Sequence, residues 1–260
     1  MSRGLRMLTV HSNRQTSPDT KTILFKEKFL SGPGQFVMVW VPGVDEMPMS
    51  VSYTLPRLGI TFKIVGEGTR ALASKKPGDK LGLRGPYGNG FSMSGSKVLG
   101  VAGGTGMASL APFLELATTK KISVELVLGA KTSKELLFED RMTDVGVKVH
   151  VATDDGSRGF KGFATDLARK VLSEGKFDCI YACGPERMIV GVLSLATEHG
   201  TPMQASLERH MKCGIGICDS CAIDGRRVCK DGPVFSRDDL THFSDLGKTK
   251  LDACGRKVPV

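Results

Sequence analysis

Between Lys97 and Ser206, five apolar runs alternate without exception with four helix-like stretches, and this rhythm restricts the fold more than any other feature of the chain. The runs cover residues 98–102, 124–128, 147–152, 179–183 and 203–206; helices are predicted over 106–117, 135–143, 163–173 and 186–199. Apolar runs separated by helices describe strands covered on both faces, and strict alternation of the two means a doubly wound parallel sheet. Before this segment the rhythm is different. Short strands are predicted at 22–25, 35–41, 50–55, 60–65 and 80–83, parted by turn signals at Gly32-Pro33-Gly34, Pro42-Gly43, Arg57-Leu58-Gly59 and Pro77-Gly78-Asp79. Many short strands with no helical period predict a small antiparallel barrel. The chain thus divides into residues 1–96 (an all-β barrel), 97–206 (an α/β sheet) and 207–260.

Composition excludes several classes. Hydrophobic residues at 40% and charged residues at 24% are those of a folded domain rather than a disordered one. No apolar run is long enough for a membrane span, since 36–41 stops at Pro42, and Met1 to Val10 lacks the apolar centre of a signal peptide, so a cytoplasmic location is expected. The formal charge of +9 accompanies no nucleic-acid-binding pattern, and the basic residues are scattered. A solvated basic surface, or attraction for phosphate-bearing cofactors and an acidic partner, accounts for it better. Seven cysteines in such a chain predict ligands and buried thiols rather than disulfides.

Four of those cysteines, Cys213, Cys218, Cys221 and Cys229, are separated by four, two and seven residues. That is the spacing by which plant-type proteins hold a [2Fe–2S] cluster. Gly214 and Gly216 inside the loop allow positive φ, so that amides can turn toward the sulfurs. Asp224-Gly225 predicts a hairpin turn before the fourth cysteine. Zinc would want a second close pair, and Cys229 has no cysteine two to four residues away. Cys179, in a strand, and the isolated Cys254 predict no ligand role.

A second constellation opens the parallel sheet. The run 98–102 leads into Gly103, Gly104, Thr105 and Gly106 and then a helix, a turn in which backbone can approach a pyrophosphate at a helix N-terminus. The dinucleotide fingerprint is incomplete, with Ser109 in place of its third glycine. Lys131 stands where a ribose-binding carboxylate is expected, which leaves NADH and NADPH both open. Two further turns fall at strand ends of this sheet: Asp154 within Thr153-Asp-Asp-Gly-Ser157, and Cys183-Gly184-Pro185.

Together these segments resemble the ferredoxin–NADP reductase superfamily, and within it the electron-transfer subunits of type B dihydroorotate dehydrogenases. The resemblance runs through Glu46-Met-Pro-Met-Ser50, Val65-Gly-Glu-Gly-Thr69, Leu83-Arg-Gly-Pro-Tyr-Gly-Asn-Gly-Phe91, Ala102-Gly-Gly-Thr-Gly106, Thr153-Asp-Asp-Gly-Ser157 and Ala182-Cys-Gly-Pro185. It ends with Met211 through Cys218 and Val228-Cys-Lys-Asp-Gly-Pro-Val-Phe235, the most specific of the set. It implies a Greek-key barrel for FAD, an NAD(P) domain and a terminal [2Fe–2S] module. The flavin segment of the family falls on Met47, Pro48, Met49 and Ser50, with further contacts at Phe62, Lys63, Ile64, Gly68 and Thr69. Met47 replaces the family's arginine, and Arg70 is the candidate to supply the missing charge.

The implied function is an electron relay in pyrimidine biosynthesis, from the FMN of a separate catalytic subunit through [2Fe–2S] and FAD to NAD+. No residue of this chain is expected to act as a catalytic acid or base, because the cofactors perform the chemistry. A heterotetramer with the catalytic subunit is implied. The alternatives are a reductase subunit of sulfhydrogenase or ferredoxin:NADP oxidoreductase type, and a redox-sensing protein without turnover.

Overall fold

The computed structural model describes residues 4–260. Six strands form a closed antiparallel barrel: β1 (Arg6–Ser17), β2 (Thr20–Phe25), β3 (Phe36–Val41), β4 (Asp45–Tyr53), β5 (Gly59–Lys63) and β6 (Lys80–Tyr87), in the order β1-β2-β5-β4-β3-β6. β6 closes on β1 with Arg6 opposite Leu83. The two-residue period of a strand separates the faces of β3. Val37, Val39 and Val41 fill the barrel with Leu8, Ile23, Val51 and Ile60, whereas Phe36 and Met38 point outward into a second core.

β1 and a short helix, α1 (Glu67–Ala73), are absent from the sequence prediction. In its twelve residues β1 offers only Leu8 and Val10 as fully buried apolar side chains, so its alternation is too short to stand out. It becomes a strand because β2 and β6 pair with it on either side. α1 covers the barrel rim with Leu72 fully buried.

The second layer is a seven-stranded sheet. Its strands are β7 (Lys97–Gly103), β8 (Ser123–Ala130), β9 (Lys148–Thr153), β10 (Phe160–Lys161), β11 (Cys179–Cys183), β12 (Met203–Ser206) and, from beyond β12, a later strand Val234–Ser236. The order is β10-β9-β8-β7-β11-β12 followed by that late strand, which alone runs antiparallel, against β12. α2 (Gly106–Thr119) and α3 (Glu139–Asp144) cover one face, while α4 (Ala164–Glu174) and α5 (Glu186–Glu198) cover the other. The helix predicted over 135–143 is interrupted: a 3-10 turn spans Ser133–Glu135, Leu137 drops into the core, and Phe138 takes φ 62 immediately before α3. The linker between barrel and sheet is stapled down. Tyr181 on β11 accepts from the Ser94 amide and donates to the Ser92 carbonyl, and Asp178 accepts from the amides of Ser96 and Lys97.

The boundary predicted at 206/207 is crossed by the sheet. The C-terminal region forms a hairpin, β13 (Ala222–Ile223) and β14 (Arg226–Arg227), then α6 (Val228–Asp231), β15 (the late strand Val234–Ser236) and α7 (Arg237–His242). Asp224 (φ 43) and Gly225 (φ 79) make the predicted tight turn. Leu207, Ile223, Val228, Phe235, Leu240 and Phe243 share a core with α5 and with Phe36 and Met38 of the barrel. An edge strand and a continuous core fasten the C-terminal region to the α/β layer. No helix among the described residues is long and apolar enough to cross a membrane.

Candidate functional site

Two turns meet at the carboxyl ends of adjacent strands. β7 and β11 are neighbours, with Cys183 opposite Ala102, so the Gly103–Gly106 turn lies against Cys183–Pro185. The approach is possible only for glycine: a Cβ on Gly106 would stand 2.2 Å from the Cys183 carbonyl oxygen, and one on Gly103 2.9 Å from Pro185 Cδ. Gly104, at φ +52, is different, because nothing lies within 4 Å of where its side chain would be. The space over this glycine is therefore open beside the start of α2, whose first turn carries no acidic residue, while its own amide donates to the Gly129 carbonyl at 3.1 Å. That combination suits a phosphate, whose charge is favoured at a helix N-terminus. Ser109 is buried on α2 facing Cys183, which explains how the fingerprint tolerates its missing glycine. Burial pushes the Cys183 thiol up to about 12, so it is a neutral SH at physiological pH.

Asp154 sits exposed at the end of β9, its amide donating to Ala130 of β8. The Asp155 amide reaches the carbonyl of Lys131, so the turns after β8 and β9 are knitted into one rim. Lys131 itself is exposed.

On the barrel, Met47, Pro48, Met49 and Ser50 follow one another along β4. Met47 touches α1: a Cβ on Gly68 would lie 2.6 Å from its sulfur. Thr69 Oγ1 accepts from the amides of Val65 and Gly66 at 2.9 Å, which holds the turn entering α1. Met47, Pro48, Ser50, Gly68 and Thr69 are thus brought together, whereas the Met49 side chain is buried in the barrel core. Phe62 is not among them, since its side chain fills that core too, and Lys63 pairs with Asp19 at 2.7 Å. Ile64 also packs against the barrel core, so Lys63 and the local backbone are what face outward here. Arg70 is exposed and forms no ion pair among the described residues.

The cysteine loop lies against the outer face of β3. Gly214 and Gly216 both have positive φ (71 and 79), and a Cβ on Gly214 would meet Met38 Cγ at 2.9 Å. The amides of Ile215 and Ile217 point at Cys213 Sγ from 3.4 and 3.5 Å, and the Cys229 amide points at Cys221 Sγ from 3.4 Å. Burial alone would raise the Cys213 thiol, but those amides and Cys218 prevail and draw it down to about 6. Burial, reinforced by Cys221, pushes Cys229 up to about 12.

Cys218 acts on the Cys213 thiol, and Cys229 feels both Cys221 and Cys213, so the four cysteines lie in one neighbourhood. Among the described residues no three His, Cys, Asp or Glu side chains converge as they would on a single ion. Two thiolates for each of two irons, with amides directed at the sulfurs, is the donor set a [2Fe–2S] cluster needs. Cys221 and Cys229 are buried, whereas Cys218 and its neighbour Ile217 are exposed, so the loop has one covered and one open side.

Two arginines not singled out by the sequence pattern join these parts. Arg84 on β6 grips Glu46 with two bonds (2.7 and 2.6 Å) and donates from Nη2 to the Cys213 carbonyl at 3.3 Å, tying the cysteine loop to the strand that carries Met47–Ser50. Arg209, buried, makes a two-pronged pair with Glu186, the first residue of α5 after the Cys183–Pro185 turn. Neither signals itself in sequence, because the partners are 38 and 23 residues distant.

Residues 208–241 match the family of the iron–sulfur cluster binding domain of dihydroorotate dehydrogenase B, and residues 101–193 match the oxidoreductase NAD-binding domain. The chain is 46% identical over 246 residues to a protein of Methanocaldococcus jannaschii, covering 94% of each, and 47% identical to one of Methanocella arvoryzae, covering 94% of this chain and 95% of that one. A Pyrococcus furiosus protein is 38% identical over 98% of this chain and 100% of its own length. All three bear the name "Probable dihydroorotate dehydrogenase B (NAD(+)), electron transfer subunit". Among solved structures, a chain of the NADH-dependent reduced ferredoxin–NADP oxidoreductase superposes with a TM-score of 0.83 at 30% identity, covering 94% of this chain and 92% of that one. The Amycolatopsis cytochrome P450 reductase GcoB shares the fold at a TM-score of 0.66 and 21% identity, covering 76% of this chain and 68% of that one.

Proposed function

Because the chain belongs to the electron transfer subunits of dihydroorotate dehydrogenase B, we propose that it passes electrons from a catalytic partner subunit to NAD+ through a [2Fe–2S] cluster at Cys213, Cys218, Cys221 and Cys229 and an FAD on the barrel. The observation that carries this reading is a four-cysteine loop whose amides are directed at Cys213 and Cys221 and which Arg84 ties to β4. A flavin accepts electrons singly or in twos, and so couples a one-electron cluster to a two-electron nicotinamide.

The chain's own residues supply position and electrostatics. Met47, Pro48 and Ser50, with Gly68 and Thr69, form the flavin surface; the backbone of Met49, Phe62, Lys63 and Ile64 borders it. Gly103 to Gly106 receive the pyrophosphate, Asp154 the adenosine half, and Cys183, Gly184 and Pro185 the nicotinamide. Cys183 stays protonated and offers no nucleophile, in keeping with a chain that needs no acid or base of its own. Exposed Ile217 and Cys218 mark the side of the loop from which the catalytic subunit delivers electrons. The partner is read as an FMN-containing subunit that oxidises dihydroorotate, in a cytoplasmic heterotetramer.

Anaerobically purified chain is expected to contain two irons, two sulfides and one FAD. It should reduce an artificial dye with NADH and leave dihydroorotate untouched until the FMN subunit is added. Zinc in place of iron, or dihydroorotate turnover by the chain alone, would overturn the assignment.

A further inference from the structure

The flavin surface and the nicotinamide turns belong to different layers. Hydride transfer requires the reacting atoms about 3–3.5 Å apart and aligned, and a misplacement of about 1 Å costs on the order of a hundredfold in rate. Something must therefore set the register of barrel against sheet, and Arg141 of α3 occupies that junction. Its Nε and Nη2 grip both oxygens of Glu115 on α2 at 2.6 and 2.7 Å. Its Nη1 donates to the backbone carbonyl of Ser52 on β4 at 2.9 Å. The same guanidinium lies over the Tyr53 ring, 3.7 Å from the centroid, and 4.8 Å from that of Phe138. Tyr53 and Phe138 meet edge to face at 5.7 Å, with Arg14 of β1 bonded to the Tyr53 hydroxyl.

One planar cation thus contacts the strand holding Met47–Ser50, two residues past Ser50, and the helix that begins in the dinucleotide turn. Phe138 has the left-handed φ of 62 that only a tightly held non-glycine residue keeps. The Arg141 side chain is only 15% exposed, so water competes poorly for these bonds.

We infer that Arg141 is a positioning residue for the transfer between nicotinamide and flavin, acting as a clamp from α2 to β4; the inference rests on the functional reading above. Lysine cannot replace it, because an ammonium lacks the planar fork that serves a carboxylate, a carbonyl and an aromatic face together. The clamp touches neither cofactor surface directly.

The test uses the full-length chain loaded with FAD and cluster, mixed anaerobically with NADH in a stopped-flow instrument. Arg141→Ala and Arg141→Lys are both expected to bleach the flavin at least about tenfold more slowly than the unaltered chain. FAD content, the cluster spectrum and the dissociation constant for NADH should stay within about twofold of it. The long-wavelength charge-transfer band between nicotinamide and flavin should weaken, and amides of β4 near Ser52 and of α2 near Glu115 should exchange hydrogen faster. Glu115→Gln, which keeps the arginine but weakens its anchor, should give a smaller loss in the same direction and serves if the alanine variant fails to fold. A wild-type bleaching rate in folded, loaded Arg141→Ala or Glu115→Gln would overturn the clamp. So would recovery of that rate in Arg141→Lys, or a loss explained wholly by missing FAD or weaker NADH binding. If the unaltered chain itself is not reduced by NADH, the functional reading fails first and takes the clamp with it.

Discussion

At the scale of single residues, the site is built largely from what is absent. Gly106 and Gly103 let two strand-end turns approach within contact distance, and Gly104 leaves the space over it open. Replacing Gly106 by alanine would drive a methyl into the Cys183 carbonyl, so the two turns must separate. The expected result is a stability loss of about 1–3 kcal/mol by urea titration and roughly tenfold or weaker NADH binding by fluorescence titration. Wild-type binding in Gly106→Ala would show that the turns do not form one site. The glycines were legible in the sequence as a turn, and so was the gathering of the four cysteines, since spacing along the chain limits what a loop can enclose. The outcome at Phe62 was not legible. A strand residue named by family resemblance turned out to face the barrel core, because the two-residue period decides its face and the flanking turns decide the register.

At the scale of elements, the chemistry sits at one end of the parallel sheet and a charged network at the other. Glu125 on β8 is bound by Lys97 at 3.0 Å, Lys148 at 3.1 Å and His150 at 2.8 Å. Burial opposes its ionisation, but these partners outweigh it and hold the carboxyl at about 2 against an ordinary value of 4.5. Because the folded value is the lower one, this carboxylate stabilises the fold fully above about pH 4.5, and that stability is lost as pH falls toward 2. An upper bound is about 3 kcal/mol, from the size of the shift. Urea unfolding of the protein and of Glu125→Gln should therefore differ at pH 6 and converge near pH 2.5; a gap independent of pH would assign the effect to packing instead. The elements themselves divide by their apolar signal. Strands β7, β8 and β11 were visible as continuous runs, whereas β1 and β15 were not. β1 is held by its pairing on both sides, and β15 is three residues long and draws its stability from β12 and from Phe235.

At the scale of the whole molecule, three regions distinct in composition share one continuous structure. The cysteine loop is fastened to the barrel by Arg84, the C-terminal region to α5 by Arg209 and Glu186, and the sheet to β4 by Arg141. Glu186 also accepts from the Gly247 amide at 2.7 Å, so its removal strands a buried guanidinium and frees a C-terminal turn. Glu186→Ala is expected to cost about 3–5 kcal/mol in urea unfolding and to lower iron retention on gel filtration. Unchanged stability would mean that water reaches Arg209. The sequence alone determined the fold class, the kind of cluster and the glycine turn after β7, because periodicity, ligand spacing and glycine placement are properties of neighbouring residues. Only the tertiary structure decided that a strand from the C-terminal region completes the sheet, that loop amides are aimed at the Cys213 and Cys221 sulfurs, and that arginines on β6, on α3 and ahead of the cysteine loop lock the regions together. Those contacts join side chains far apart in the chain, and an ion pair or an edge strand leaves no periodic trace in the residues that form it.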